Sequence, residues 1–590
     1  MKKIISYFSF LFLAVAVFLT SWPLLRPGMF AIHDFVHGAR IVEMAAGISQ
    51  GQIPVRWSAN FGYGYGMPLF EFYAPLPYYV GAFFYLLGLP LVTSVKLLFL
   101  LTSLGTVIGG YFLGKSVFES RWAGILVAYA VAFAPYRALN LFIRGAVSEA
   151  WGMMALPWIM YGFFAVKTSS KKGFLAILFG CLVLFLSHNL TTLIALPFLM
   201  LFFVLMIVVE ILKKTRTQVI IEMSIYGFGA VLLAIGLSAF YLFPAFLEKG
   251  YTQMSGAILD DYFNYSLHFL YIRQFFDFEW AYGGSEWGPD DKLSFFLGFG
   301  QLFGLIITGV MLLQKKIQFS RKFLKKPEKA SVQVFLQKYL LFFSLLVFFF
   351  ASLFMTLQRS YSLWQHIPLL QYVQFPWRFL SVASFFLAML AGVPFFLLKK
   401  RVAKMIYFFS ILGLLVTLNT LYFKPERHLD DAAGLYYEEP ARIQKDMSGI
   451  LPDFIPSKFD PENSQVPPVS TLICETECRT ITPLVERAHE RLYAIEADRD
   501  VTISFAISDF PGWVVEIDGE EVSHSVSTTG TIDVALTQGI HMVGIQLQST
   551  PIRLASDWAT AVSIVVTLSI LIVFSESKRV EHFRKKSWPK

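Results

Sequence analysis

Ala31-Ile32-His33-Asp34-Phe35-Val36-His37-Gly38-Ala39-Arg40 is a polar loop that follows an apolar run over residues 4–25. The run is long enough to cross a bilayer core, so an acid and two histidines fall at the membrane–water boundary. A carboxylate placed there stays in contact with water and can still reach a lipid-borne substrate. The loop continues through Gly51-Gln52-Ile53-Pro54-Val55-Arg56-Trp57 and re-enters an apolar stretch at Pro75-Leu76-Pro77-Tyr78-Tyr79.

Lys2 and Lys3 ahead of an apolar run imitate a secretory signal. The run is longer than a signal-peptide core and no small-residue cleavage site follows it, so it is read as the first span. Further apolar segments lie near 76–90, 92–113, 122–135, 149–166, 174–187, 190–212, 219–246, 293–313, 339–357, 379–398, 404–423 and 558–575. The chain is 56% hydrophobic with 61 phenylalanines and a mean hydropathy of +0.58, which excludes a soluble multidomain protein. The fold expected is a polytopic α-helical membrane protein of about 12–14 spans. Residues 76–90 and 122–135 are short for full spans, and 219–246 can hide a break.

The net charge of +8 does not point to nucleic acid. Basic residues cluster between spans, at Lys167/Lys171/Lys172, Lys213/Lys214/Arg216, Lys315–Lys338, Lys399/Lys400/Arg401/Lys404 and Lys578–Lys590. By the positive-inside rule these segments and both termini are cytoplasmic. The acids concentrate in 247–292 and 424–557, placed outside. The organisation expected is a membrane module over 1–423, with a first outer loop at 26–75 and a second at 247–292. An extracytoplasmic β-rich domain follows over 424–556, then a final span and basic tail over 557–590. Residues 136–148 read as a short connection, and 438–470 as loop or extended chain. Period-two alternation at Val501–Ile507, Ile532–Leu536 and Val543–Leu547, with an Asp518-Gly519 turn, predicts an antiparallel sandwich. Trp513 in that domain packs in its core, docks it on the membrane part or stacks on an acceptor sugar. Cys474 and Cys478 form a local disulfide or remain two thiols; Cys181 lies in a span.

Several constellations can carry chemistry. His33, Asp34 and His37 fall at helical spacing on one face, so Asp34 can act as a general base and the three can hold a divalent metal. The plainer reading has Asp34 capping a surface helix. Arg144 and Glu149 stand at the outer edge of a span, as a phosphate clamp with its supporting acid or as a structural ion pair. Arg378, in Gln374-Phe375-Pro376-Trp377-Arg378, is a second clamp or a snorkelling arginine. His188-Asn189 lies between two spans, where polar groups are functional or tightly hydrogen-bonded. Asp260, Asp261, Tyr262, Trp280, Glu286, Trp287, Asp290 and Asp291 mix acids with aromatics that can stack on sugar rings or form an interfacial belt. There is no P-loop, dinucleotide fingerprint, HExxH or hydrolase GxSxG.

One span, an Asp-bearing outer loop, a Gly-x-x-Pro-x-x-Trp stretch and a Pro-Leu-Pro-Tyr-Tyr entry together resemble the GT-C glycosyltransferases, polytopic enzymes that use polyprenyl-phosphate-linked sugars. A closer resemblance is to YfhO-like membrane proteins and to the "membrane protein, 6-pyruvoyl-tetrahydropterin synthase-related domain" family. It rests on His33-Asp34, Gly62–Tyr79, Arg144–Glu149, Ser187-His188-Asn189 and Gln374–Arg378. Phe510-Pro511-Gly512-Trp513, Asp518-Gly519 and Gly539-Ile540-His541 extend it into the outer domain.

The resemblance implies an inverting transferase of the bacterial cytoplasmic membrane with Asp34 as catalytic base. His33, His37, Arg144, Glu149, His188 and Arg378 would bind the substrate. The donor would be a polyprenyl-phosphate sugar, and the acceptor an envelope glycan, lipid or protein. No cofactor is expected. GT-C enzymes often carry a second acid directly after the first, and here Phe35 stands there. The rival readings are a non-catalytic transporter or flippase of lipid-linked sugar and an envelope-assembly scaffold.

Overall fold

The computed structural model describes residues 2–254, 261–325, 329–430, 438–450, 452–462, 464–474 and 477–587. Asp260, Lys326 and Lys590 fall outside them. Among the described residues, nine helices are long and apolar enough to cross a membrane. Arg121–Ala132 and Pro135–Phe142 make a tenth if taken as one span bent by 48°. Further helices occupy Leu76–Leu86, Val147–Ala165 and Phe299–Lys325, at or near expected spans. This is a polytopic helical membrane protein with a sheet-rich region ahead of its last helix.

One detail corrects the sequence reading and a second agrees with it. Residues 136–148 are not a plain connection, because Pro135 occupies the first helical turn, where its missing N–H costs nothing, and starts a helix over Pro135–Phe142. The stretch 219–246 breaks at Ser238 into Thr217–Leu237 and Ala239–Leu247. Burial ranks the helices: the Pro376–Leu397 window is 94% buried and that of Pro551–Ser575 is 0%. The first is the centre of the bundle, and the last faces its surroundings.

Strand β1 (Met29–Phe30) pairs antiparallel with β2 (His428–Leu429), in register Met29↔Leu429. The chain leaving the bundle thus braces the start of the Asp34 loop. Strands β3 (Leu472–Ile473), β4 (Cys478–Arg487), β5 (Glu490–Ala497), β6 (Val501–Ser508), β7 (Trp513–Ile517), β8 (Glu520–Val522), β9 (Ser525–Val526), β10 (Thr531–Leu536) and β11 (Gly539–Leu547) build two antiparallel sheets. Their orders are β3-β6-β10-β9 and β4-β5-β11-β7-β8. The three alternating runs of the sequence are β6, β10 and β11. Asp518 and Gly519 join β7 to β8 with φ of 54° and 88°, the paired positive angles a two-residue hairpin needs. Cys474 and Cys478 are disulfide-bonded.

The sheets sit on the first loop. Trp513 meets Trp57 edge to face at 5.2 Å, so this buried tryptophan docks the sheets rather than filling their interior alone. Ser508 Oγ donates to the Gly66 carbonyl at 2.6 Å. Buried beside this contact, Arg553 of the last helix donates from Nε to Glu248 Oε2 at 2.9 Å and lies 3.0 Å from Glu71 Oε2, while its Nη1 donates to the Pro511 carbonyl at 2.9 Å. Ionisable groups from the first loop, the helix end at 248 and the last helix therefore meet at one point under the sheets.

Candidate functional site

The helix within the first outer loop begins at His37, not earlier, and runs to Ser49. Val36 is its N-cap and supplies no side-chain bond, so Asp34 does not cap it. His33 and Asp34 precede the helix, and the expected shared face with His37 does not form. Their backbone is instead fixed from across the molecule: His33 N donates to the Ile143 carbonyl at 2.9 Å and Asp34 N to the Arg144 carbonyl at 2.8 Å. Gly145 permits this approach. Its φ is +67°, and a Cβ there would stand 2.6 Å from Ile32 Cδ1. The Asp34 side chain is exposed.

His37 points inward and is 1% exposed. Its Nε2–H donates to the Gly145 carbonyl at 2.5 Å, and Nδ1 accepts from the Tyr78 hydroxyl at 3.0 Å. Burial, with the Arg40 charge beside it, pulls its pKa down to about 4. Both ring nitrogens of this neutral imidazole are occupied, and His37 fastens the Asp34 loop to residue 145. His33 donates from Nε2 to the Tyr282 carbonyl at 3.1 Å and joins the first loop to the 247–292 loop. Among the described residues no cluster of three or more His, Cys, Asp or Glu could hold a metal ion.

Opposite the Asp34 loop, Arg144 and Glu149 do meet. Arg144 Nη1 donates to Glu149 Oε2 at 2.7 Å and to Asn140 Oδ1 at 2.5 Å. The guanidinium lies over Trp377, 4.6 Å from the ring centroid. Glu149 also accepts from the Tyr136 hydroxyl at 2.5 Å and from Asn140 Nδ2 at 3.3 Å, and Arg378 Nε is 3.9 Å from it. Arg378 is held by the Val373 carbonyl and Gln374 Oε1 at 2.8 and 3.2 Å. Its buried Nε has no hydrogen-bond partner among the described residues. One carboxylate therefore serves two guanidiniums.

His188 acts first as a cap. Its Nδ1 accepts from Thr191 N at 3.1 Å at the start of Asn189–Leu212, while its ring feels the Glu149 charge. Trp377 Nε1 donates to Ser285 Oγ at 3.2 Å, and Ser285 Oγ donates to Asp291 Oδ2 at 3.1 Å. The second loop thus reaches the Arg378 segment. Burial lifts Asp291 to about 6. Of the loop aromatics, Trp280 packs on Tyr422 at 4.8 Å and Trp287 is exposed.

The structure brings Asp34, Arg144, Glu149, His188 and Arg378 into one electrostatic neighbourhood. Arg40 belongs there too, and sequence reasoning missed it. The signal available was its place one helical turn after His37, at the end of the same loop segment. A cavity of about 170 Å³ lies behind the loop, between Phe30, Phe35, His37, Val95 and Arg427.

The sequence profile of the 6-pyruvoyl-tetrahydropterin synthase related domain family, described as a membrane protein, matches residues 70–424, well over half of the 590. The chain belongs to this family. The pterin-synthase-related match spans the bundle and takes in Arg144, Glu149, His188 and Arg378, while Asp34 precedes it. An uncharacterized protein of Lactococcus lactis subsp. cremoris (strain MG1363) is 28% identical over 306 residues, 49% of this chain and 46% of that protein. The match thus spans under half the length of that relative. Among solved structures, the mycobacterial arabinofuranosyltransferase AftD aligns at a TM-score of 0.44 and 13% identity, covering 76% of this chain and 28% of AftD. The Archaeoglobus fulgidus oligosaccharyltransferase, solved with a tethered acceptor peptide, aligns at 0.38 and 12%, covering 72% and 56%.

Proposed function

We propose that this membrane protein is an inverting GT-C-type glycosyltransferase that takes its sugar from a polyprenyl-phosphate donor. The observation that carries the reading is an exposed carboxylate, Asp34, on a loop whose backbone bonds the Arg144 carbonyl at 2.8 Å and so stands beside the Arg144–Glu149–Arg378 cluster. Asp34 takes the proton of an acceptor hydroxyl as that oxygen attacks the anomeric carbon. The bond from that carbon to the phosphate oxygen breaks, and its electron pair leaves on the phosphate. Arg144 and Arg378 face the growing negative charge with in-plane donors, and the aromatic rings against them hold those donors in place. A single displacement inverts the anomeric centre. Phe35 at the following position leaves Asp34 as the only acid of its loop segment, so one base suffices for the step. The acceptor is an envelope glycan, lipid or protein, and the sheets and the Asp34 loop lie outside a bacterial cytoplasmic membrane with both termini inside.

Mass spectrometry of lipids that co-purify in mild detergent identifies the donor, which then serves in a transfer assay. Asp34→Asn lowers turnover by about 10²–10⁴, the usual loss of a positioned base, while the lipid still co-purifies. Unchanged turnover in Asp34→Asn refutes the assignment. A lipid-linked sugar that co-purifies but is never transferred by the unaltered protein points to a transporter or scaffold instead.

A further inference from the structure

Arg40 is 2% exposed and has no carboxylate within ion-pair distance among the described residues. Arg137 also lacks an acid, but Ala132 O, Thr102 Oγ1 and Ser103 Oγ receive its nitrogens at 3.2, 3.4 and 2.7 Å. Arg40 has far less. Its guanidinium lies over the Tyr73 ring, 3.9 Å from the centroid, and Nη1 donates to the Tyr78 hydroxyl at 2.9 Å. That hydroxyl already spends its proton on His37. Among the described residues the buried Arg40 Nε has no hydrogen-bond partner, and the buried Ser148 hydroxyl lies against Tyr78. A buried guanidinium with so few acceptors is costly. Stacking on Tyr73 fixes its plane and leaves the edge, where the donors are, for a planar or tetrahedral anion.

Charge bookkeeping says how large that anion is. Arg144 and Arg378 share Glu149, which leaves one guanidinium charge there beyond Glu149, and the exposed Asp34 carboxylate offsets one charge of the site until it takes the acceptor proton. Arg40 adds a second guanidinium charge. A diphosphate esterified to both lipid and sugar carries two negative charges, one on each phosphate, whereas a monophosphate in the same position carries one. We propose that Arg40, with Tyr73 and Ser148, is a second phosphate subsite beside Asp34, so that the donor is a lipid diphosphate in preference to a lipid monophosphate. This rests on the transferase reading and narrows its substrate class. The covalent step keeps its balance: the anomeric carbon–oxygen bond breaks, the electron pair stays on the diphosphate, and the acceptor proton goes to Asp34.

The test titrates the purified full-length protein in mild detergent with the methyl esters of decaprenyl monophosphate and of decaprenyl diphosphate, which carry one and two negative charges as the sugar-bearing lipids do. Tryptophan fluorescence is the signal, since Trp377 lies beneath Arg144. The unaltered protein should bind the diphosphate about tenfold tighter or more, the worth of one charge-assisted hydrogen bond. Arg40→Gln should bring the ratio near one and leave monophosphate affinity in place. Arg144→Gln should weaken both lipids. Arg40→Lys keeps the charge without the fork and guards against a folding defect, and it should cut the ratio by about threefold or more. Inorganic phosphate should compete with the diphosphate lipid less well in Arg40→Gln than in the unaltered protein.

Equal affinity for the two lipids in the unaltered protein overturns the subsite and leaves the transferase reading standing, as does an Arg40→Lys ratio equal to the unaltered one. Binding of neither lipid by the unaltered protein removes the transferase reading itself. If inorganic phosphate, supplied with the monophosphate lipid, fills the Arg40 site and raises affinity as much as the diphosphate does, the anion comes from free phosphate and the lipid-diphosphate assignment falls.

Discussion

Glu149→Gln should be among the most damaging single changes in the membrane half. Glu149 is 1% exposed and is the shared counter-charge of Arg144 and Arg378, at 2.7 and 3.9 Å. Glutamine keeps an oxygen for Tyr136 or Asn140 but removes the charge, leaving two buried guanidiniums facing each other. Breaking one partner out of a buried ion pair costs about 3–5 kcal/mol, against about 0–1 kcal/mol for an exposed pair. The assay is unfolding of the purified protein by SDS titration in mixed micelles, followed by tryptophan fluorescence. Two companion measurements sharpen it. The double variant Glu149→Gln/Arg144→Gln should lose less than the sum of the single losses, because it removes an unpaired cation as well as an anion. Decaprenyl monophosphate at about 100 times its Kd stabilises by about 2.7 kcal/mol through mass action, and at equal concentration its effect should be larger in Glu149→Gln, where the ligand supplies the missing charge. A loss under about 1 kcal/mol in the single variant, the range of a surface pair, refutes the argument that Glu149 neutralises the phosphate clamp.

Two further outcomes follow from groups outside the membrane. Burial, only partly opposed by Arg553 and reinforced by the neighbouring Glu248, moves the Glu71 carboxyl from the ordinary 4.5 up to about 8. The folded state therefore holds a proton that the unfolded chain releases, and stability should fall as pH rises from about 4.5 to about 8. Thermal denaturation of Glu71→Gln should show a flatter profile over that window, and an identical slope in both proteins refutes the assignment. The side on which the sheets lie is read from Thr528→Cys, an exposed position. Cys181 is buried and Cys474 is bonded to Cys478, so background labelling should be low. An impermeant maleimide should label Thr528→Cys on intact cells, and labelling only after permeabilisation reverses the orientation.

Hydropathy and period-two alternation made the spans and the strands β6, β10 and β11 readable because each is a local pattern repeated over several residues. Strands β4 and β5 were not read, although β5 alternates cleanly in burial. Its inward positions include Arg491, a charge that masks the alternation. From sequence alone Pro135–Phe142 reads as a connection, since Arg137 and Asn140 interrupt its apolar face. In the fold Arg137 is answered by hydroxyls of Leu91–Phe118, a neighbour that local pattern cannot supply.

The site shows the same boundary at finer grain. Asp34, Arg144 and Arg378 were legible as charges at the ends of apolar runs, since a membrane edge makes such residues conspicuous whatever they touch. What each one does depends on who else arrives. His33 and His37 looked alike in sequence, four residues apart on a presumed helix. The helix starts only at His37, because the preceding backbone is taken up by residues 143 and 144. One histidine therefore remains at the surface of the loop and the other becomes an internal strut. Arg40 is the converse case. Its place one helical turn after His37 is a weak mark, since an arginine near the start of a helix most often faces water. Its interest comes from the shortage of acceptors around it, as Tyr73 and Tyr78 enclose the guanidinium without neutralising it. An unbalanced charge is a property of the assembled site. The ligand argued from it is therefore an inference that the order of residues alone could not have supported.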